Sequence, residues 1–273
     1  MTEERSPSPW RGPREAVLLY RELASWRRAR LPGMPSVDPE ELALALAGEE
    51  DSPLARRLPW REEARRQVRQ LAGEAAAIIA AHQPSLAAAA AALAKWLERE
   101  EALEAAGHAL ASEDAQVEEL ARRASLHPAL AAFAFEQAAA VVHTRLAAEA
   151  GAPLARRAST GGSCPVCGRV SNLSRLEGKA GERHLYCAHC DLSWRYARIG
   201  CPRCGNEEQE LLRELVSDDV PGVAVVVCDR CRRYTKRVDL RRVEPPEEWL
   251  VADVETLYLD MLAAEEGFLP VHR

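Results

Sequence analysis

Apolar positions follow two different periods along this chain of 273 residues. Over residues 1–157 they recur at helical spacing. Alanine and leucine dominate, β-branched residues are few, and breakers fall between the apolar stretches. In the stretch Arg14–Arg30, Val17, Leu18, Tyr20, Leu23 and Trp26 share one helical face, and Pro32-Gly33 and Pro35 end it. Asp38-Pro39-Glu40-Glu41 reads as a helix start: Asp38 caps, Pro39 sits in the first turn, and the acids lie near the positive end of the dipole. A loop is expected around Gly48–Pro53, then a long helix from Pro59 to about Ala81 and another over Ser85–Ala106. A short helix begins at Ser112-Glu113-Asp114 and runs to Ala124. A last one runs from Pro128 to Ala150, closed by Gly151 and Pro153. The pattern predicts a bundle of about six or seven helices. Trp26, Trp60, Trp96, Phe133 and Phe135 are its bulky core candidates. His82, His108, His127 and His143 lack i, i+4 partners or acidic sequence neighbours and read as ordinary helix or cap residues.

The period changes after a linker at Arg156–Gly162. Short apolar runs at Arg183–Tyr186, Leu192–Arg198, Leu211–Val216, Val223–Val227 and Tyr234–Leu240 predict strands. Beyond Pro245-Pro246, Glu247–Glu266 reads as one closing helix, with Leu250, Val251, Val254, Leu257, Tyr258, Met261 and Leu262 as its apolar stripe and Gly267 as its stop.

Chemistry enters with the cysteines. All eight stand in C-x2-C pairs: Cys164/Cys167, Cys187/Cys190, Cys201/Cys204 and Cys228/Cys231. Two intervening residues let both thiolates of a tight turn face one ion, and two such turns complete a tetrahedral shell of four sulfurs, suited to structural zinc or a rubredoxin-type iron. The pairs form an internal repeat. Cys164-Pro165-Val166-Cys167-Gly168 and Cys201-Pro202-Arg203-Cys204-Gly205 open the units; Cys187-Ala188-His189-Cys190 and Cys228-Asp229-Arg230-Cys231 close them. Opener and closer are separated by 19 and 23 residues, room for one hairpin each. Trp194 and Tyr234 follow the closers in strand-like runs. The alternation favours pairing each opener with the next closer; spacing alone leaves interleaved pairing open. Disulfides fit poorly, because the N-terminus shows no apolar signal-peptide segment and the cysteine-free part is long enough to build its own core. A thioredoxin-like dithiol would need a single pair at a helix start.

The expected fold is therefore α+β and multidomain: an N-terminal all-α helical bundle over 1–157, two tandem rubredoxin-like or zinc-ribbon metal modules over 158–200 and 201–242, and a closing helix within 243–273 that packs on the modules or the bundle. Each module is expected to hold one zinc or iron ion, the first through Cys164, Cys167, Cys187 and Cys190, the second through Cys201, Cys204, Cys228 and Cys231. His189 lies between two ligands, but four cysteines suffice.

Charge changes the picture little. Residues 158–242 carry 15 Lys/Arg against 11 Asp/Glu, and 243–273 carry one Arg against eight acids. A divalent ion in four thiolates leaves a charge of about −2, so two sites cancel the basic surplus and weaken a nucleic-acid reading. The run Ala75–Ala94 reaches bilayer length but is mostly alanine and is broken by His82-Gln83-Pro84-Ser85, which excludes a convincing membrane span. No phosphate loop, Ser/His/Asp set or paired-carboxylate cleft appears in the helical half, so no enzyme is expected.

The order of the pieces resembles the FdhE family, the formate dehydrogenase accessory proteins, over the C-terminal 110 or so residues. The likeness uses the four turns, His184-Leu185-Tyr186 before the second, Trp194 after it, Tyr234 and Lys236 after the fourth, and a closing segment Val251-Ala252-Asp253-Val254-Glu255-Thr256-Leu257-Tyr258-Leu259-Asp260 with Glu265-Glu266-Gly267-Phe268. The family usually has a glutamate close before the fourth turn, where this chain has Val225-Val226-Val227, and an aspartate pair where it has Asp253-Val254. The resemblance implies a cytoplasmic, non-catalytic factor that binds the catalytic subunit of a molybdenum- or tungsten-dependent formate dehydrogenase during assembly, with rubredoxin-like sites and iron as one candidate metal. Arginines at the turn tips (Arg203, Arg230, Arg232, Arg233) are candidates for client contact. Two other functions compete: a redox protein cycling an iron in four sulfurs, and a zinc-ribbon nucleic-acid binder with Arg195, Arg198, Lys236, Arg237 and Arg241 on phosphates. The acidic closing helix and the lack of a repeated aromatic pattern argue against the last.

Overall fold

The computed structural model describes residues 8–34, 36–48, 52–156, 161–217 and 220–271. Pro35 and parts of the expected loop (49–51) and linker (157–160) lie outside them. The chain divides into two compact units: one is Arg21–Ala152 with the turn Pro165–Gly168, the other Met1–Tyr20, Pro153–Cys164 and Arg169–Arg273.

Eight α-helices precede the metal modules among the described residues: α1 (Arg14–Arg30), α2 (Pro39–Ala47), α3 (Leu54–Arg57), α4 (Glu62–His82), α5 (Ala87–Trp96), α6 (Glu101–Leu110), α7 (Asp114–Arg123) and α8 (Pro128–Arg156). The count exceeds the expected six or seven for two reasons. The four-residue α3 is too short to show a period, and the stretch expected as one helix over Ser85–Ala106 breaks between Trp96 and Glu101. Asp38 caps α2 as expected, accepting from the amides of Glu40 and Glu41 at 2.9 and 3.3 Å. Helix α8 does not stop at Gly151 or Pro153 but passes through both to Arg156. Pro153 deletes one backbone hydrogen bond, but so near the end of a 29-residue helix the turn persists, with Leu154 buried as its anchor.

Small residues let the helices approach closely: Ala102, Ala105, Ala106 and Ala109 on α6 and Ala72, Ala75 and Ala76 on α4 are all buried. Phe135 and Trp96 meet edge to face at 6.3 Å in this core, and Trp26 is buried too; Trp60 and Phe133 are half-buried. Two histidines do have acidic partners: folding brings Glu22 to His82 at 2.7 Å, whereas His108 meets Glu113, five residues on, at 2.8 Å and, against the expectation, the i, i+4 partner Glu104 at 3.8 Å. His127 accepts from the amide of Leu130 and so caps α8, while the buried His143 donates Nε2–H to the Leu110 carbonyl at 2.8 Å.

The second unit is built on one sheet. Its strands are β1 (Leu173–Glu177), β2 (Glu182–Tyr186), β3 (Ser193–Arg195), β4 (Leu212–Val216), β5 (Val223–Cys228), β6 (Arg233–Asp239) and β7 (Leu269–Pro270). Each metal module supplies an antiparallel meander, β1-β2-β3 or β4-β5-β6. Strands β1 and β6 then pair in parallel, Leu173 opposite Lys236, so the order is β3-β2-β1-β6-β5-β4 with β7 added to β6. The expected tandem modules thus share a continuous sheet. β1 escapes a reading by alternation, because Ser174 is fully buried in it, its hydroxyl donating to the Lys236 carbonyl at 3.2 Å.

The closing segment packs on this sheet as two helices, α9 (Trp249–Glu255) and α10 (Leu257–Glu265), not one. The break is at Thr256, whose hydroxyl donates back to the Ala252 carbonyl at 2.7 Å while its backbone leaves helical geometry. Ala252, Leu259, Ala263 and Phe268 join Leu173, Val225, Val227, Tyr234 and Val238 in one apolar core.

Candidate metal centres

All four C-x2-C turns end alike. The residue after the second cysteine is left-handed in each: Gly168 (φ +81°) and Gly205 (φ +67°) in the openers, Asp191 (φ +60°) and Arg232 (φ +56°) in the closers. This conformation curls the backbone around the sulfurs. In the second opener the amides of Arg203 and Cys204 point at the Cys201 sulfur and that of Asn206 at the Cys204 sulfur. The openers close identically, Cys164 N–H to Arg169 O at 2.8 Å and Cys201 N–H to Asn206 O at 2.9 Å. So do the closers, Asp191 N–H to Cys187 O and Arg232 N–H to Cys228 O, both at 2.9 Å. Glycine takes this conformation without strain; the closers use side chains that are held in place. Asp191 accepts from the Tyr186 hydroxyl at 2.5 Å, and Arg232 lies 3.9 Å from the centre of the Phe268 ring while donating to the Glu266 carbonyl.

The turns bring together Cys164, Cys167, Cys187 and Cys190, and separately Cys201, Cys204, Cys228 and Cys231, with the sulfurs of each group within 4.8 Å of one another. This is the sequential pairing. Contacts of 3.5 Å (Cys164–Cys190), 3.6 Å (Cys201–Cys231) and 3.8 Å (Cys204–Cys228) are far too long for disulfides. They match the edge of about 3.8 Å that a tetrahedron with metal–sulfur bonds of about 2.3 Å requires. The residues present therefore fit a metal ion held by thiolates. His189 is buried beside Cys190, yet each group is formed by sulfurs alone. Burial pushes the Cys201 thiol up to about 11, against the pull of the Cys204 and Arg203 amides. At Cys204 burial is the largest single influence and pushes the thiol up, but the Asn206 amide and the neighbouring sulfurs together outweigh it, and the thiol falls below its ordinary value. A cation at the centre would hold all four as thiolates.

No family model matches the chain. An FdhE homolog of Aquifex aeolicus is 35% identical over 115 residues, 40% of this chain and 40% of that protein. An FdhE homolog of Shewanella baltica is 31% identical over 115 residues, 41% of this chain and 38% of the relative. Over about 115 residues the chain is similar to these FdhE homologs. The identity reaches well under half the length of these curated relatives. The fold likeness extends further: the crystal structure of the FdhE protein from Pseudomonas aeruginosa superposes with a TM-score of 0.65 at 24% identity, over 98% of this chain and 96% of that one.

Four of the residues that carry the FdhE resemblance outside the cysteines, Tyr234, Lys236, Asp253 and Asp260, converge on one spot. Lys236 on β6 is 1% exposed, and its ammonium meets Asp253 of α9 at 2.5 Å and Asp260 of α10 at 2.7 Å. It also donates to the Asp253 carbonyl at 2.7 Å. The Tyr234 hydroxyl donates to Asp260, and the Asn172 amide to Asp253 at 3.0 Å. Lys236 is thus no phosphate ligand, contrary to its place in the nucleic-acid alternative: folding takes it into the interior, where only paired charge is tolerated. Arg237 forms a two-pronged pair with Glu214, Arg241 one with Asp239 at 2.7 Å, and Arg195 reaches Glu182 at 3.3 Å. Of the expected tip arginines, Arg232 is taken up by Asp229 and Phe268, and Arg233 donates to the Pro270 carbonyl, while Arg203 and Arg230 are exposed.

The two modules are bolted together where one ends and the next begins. Arg183 of β2, 2% exposed, donates to the carbonyls of Gly200 at 2.7 Å and Ala197 at 3.4 Å, and the Tyr196 hydroxyl donates to the Cys201 carbonyl at 3.1 Å. Burial pushes the Arg183 guanidinium down to about 10, still charged at neutral pH. On the other side of the second opener, Gly162 sits so close to Pro202 that a Cβ there would lie 2.0 Å from the Pro202 carbonyl oxygen. Gly162→Ala is expected to lower stability by about 1–3 kcal/mol, the usual effect of overpacking, and to weaken metal retention at the second group. Gly33→Ala, where an added Cβ meets nothing within 4 Å, should do neither. Thermal unfolding of both variants with metal content assayed alongside checks this.

Proposed function

We propose that this chain is a non-catalytic maturation factor that binds the catalytic subunit of a formate dehydrogenase during assembly. In this reading it works in the cytoplasm, as a helical bundle over 1–157, metal modules over 158–200 and 201–242, and a closing segment over 243–273. Each module holds one zinc or iron ion, the first through Cys164, Cys167, Cys187 and Cys190, the second through Cys201, Cys204, Cys228 and Cys231. The observation that carries the reading is the pair of four-sulfur groups at metal-binding spacing in a relative of the FdhE proteins. When bound, the ions cross-link turns too small to fold on their own. The chain's own residues set the rest of the surface: the left-handed turns aim amides at sulfur, and Lys236 fixes the closing helices to the sheet.

Two observations weigh against the nucleic-acid alternative. Four of the five cations it needs are engaged by carboxylates, and one of these is buried. No helix among the described residues is long and apolar enough to cross a membrane, which is compatible with a cytoplasmic factor.

The test is a strain lacking this chain. Formate-oxidising activity should fall while the dehydrogenase polypeptide persists, and the purified, metal-loaded protein should retain that polypeptide in a pull-down. Full activity in the deletion strain, together with no retained subunit, would sink the proposal.

A further inference from the structure

We propose that the two metal centres are unequal, and that the second is an exchange site at which a small soft ligand, such as a low-molecular-weight thiol or a chelator, displaces Cys204. The inference rests on the metal reading above but not on the identity of any client.

The first group is sealed. Cys164, Cys167, Cys187 and Cys190 are all buried. Its opener turn is also covered. The amides of Leu54 and Ala55 donate to the carbonyls of Pro165 and Val166 at 3.0 and 2.8 Å, and Pro53 lies against Gly168, where an added Cβ would meet its ring at 2.8 Å. The second group repeats the same sequence and the same backbone turn without the cover. Cys201 and Cys228 are buried, Cys231 is half-buried and Cys204 is exposed. Arg203 and Gly205 on either side of Cys204 are exposed as well, and a Cβ added at Gly205, the counterpart of Gly168, would meet nothing within 4 Å. Of this opener only Cys201 and Pro202 are buried, Pro202 against Gly162.

Access decides the reactivity of a thiolate as much as its charge does. In the exchange, the bond between the ion and the Cys204 sulfur breaks, a bond to the incoming sulfur forms, and the proton of the incoming thiol passes to Cys204. No electrons are transferred. The three remaining cysteines keep the ion, and the held Pro202 side keeps the turn in place for reversal.

The test uses the wild-type chain, so no variant has to fold. The protein is loaded with zinc and shown to hold two ions. It is then treated with limiting N-ethylmaleimide and, separately, with the chelator 4-(2-pyridylazo)resorcinol. Peptide mass spectrometry should find Cys204 modified first, on the order of tenfold faster than any cysteine of the first group. Zinc should leave in two equal phases, the fast one accompanied by labelling of the second group alone. Equal labelling rates, a single release phase, or earlier loss from the first group would overturn the inference while leaving two metal sites intact. Binding of fewer than two ions would overturn the metal reading with it.

Discussion

A chain carrying Cys201→Ser and Cys228→Ser should lose its second ion and, with it, order in strands of both metal modules. The energy at stake is large: binding to a four-thiolate site contributes on the order of 10 kcal/mol, and in small modules that energy is also folding energy. Geometry sets how far the damage spreads. Cys228 ends β5, β5 pairs along its length with β6, and β6 carries β1 of the first module on its other side. A disordered second closer therefore withdraws β1's parallel neighbour, and removes the surface on which α9 and α10 pack. Segment-resolved hydrogen exchange should show protection lost in β1, β5, β6 and both closing helices, and kept in α4, α6 and the middle of α8, whose buried faces are mainly alanine with leucine, valine, Ile79 and Phe135. Protection retained in β1 with β6 exchanging freely would show that the modules are independent, and would contradict the shared sheet.

Replacing Lys236 should be the most damaging single change outside the cysteines. Lys236→Met keeps most of the stem's packing and removes the charge, leaving Asp253 and Asp260 facing each other with no cation between them. Breaking a buried ion pair by removing one partner costs about 3–5 kcal/mol. Here the carboxylates are 35% and 22% exposed and can be partly relieved by water, so the lower end of that range is expected. Asp260→Asn, which leaves the lysine paired to Asp253 and keeps an acceptor for Tyr234, should cost less. A double-mutant cycle between Lys236→Met and Asp260→Asn should give a coupling of about 1–3 kcal/mol. Denaturant unfolding of the four proteins, with near-ultraviolet dichroism of Trp249 and Tyr234 as the local probe, measures it. Additive effects would mean that the three side chains do not act as one unit.

The cysteines were legible in the sequence because both ligands of each turn are local: two residues of spacing and a following left-handed position are decided within five residues. The helical half was legible for a similar reason, since Asp38, Pro39 and the alanine-rich runs act over one or two turns. What escaped was non-local. Strand β1 shows no alternation because Ser174 is buried by a partner far along the chain. Lys236 looked like a surface cation because nothing near it in sequence reveals the two aspartates that fold over it. The break at Thr256 depends on one hydroxyl choosing a carbonyl a turn behind. The closers' left-handed Asp191 and Arg232 carry no glycine to mark them, although their place directly after C-x2-C was a signal that the openers had already supplied.

The parallel pairing of β1 with β6 also dictates an order of events at birth. The first four cysteines leave the ribosome early and can gather an ion once Cys190 is out. The hairpin they anchor must then wait with an open edge until the chain has been made through Asp239, because its sheet neighbour is the last strand of the other module. Such an edge is a template for wrong partners. A metal captured first by Cys164, Cys167, Cys187 and Cys190 would then act as a holding device during synthesis, keeping a half-built sheet in register until the strand that completes it arrives.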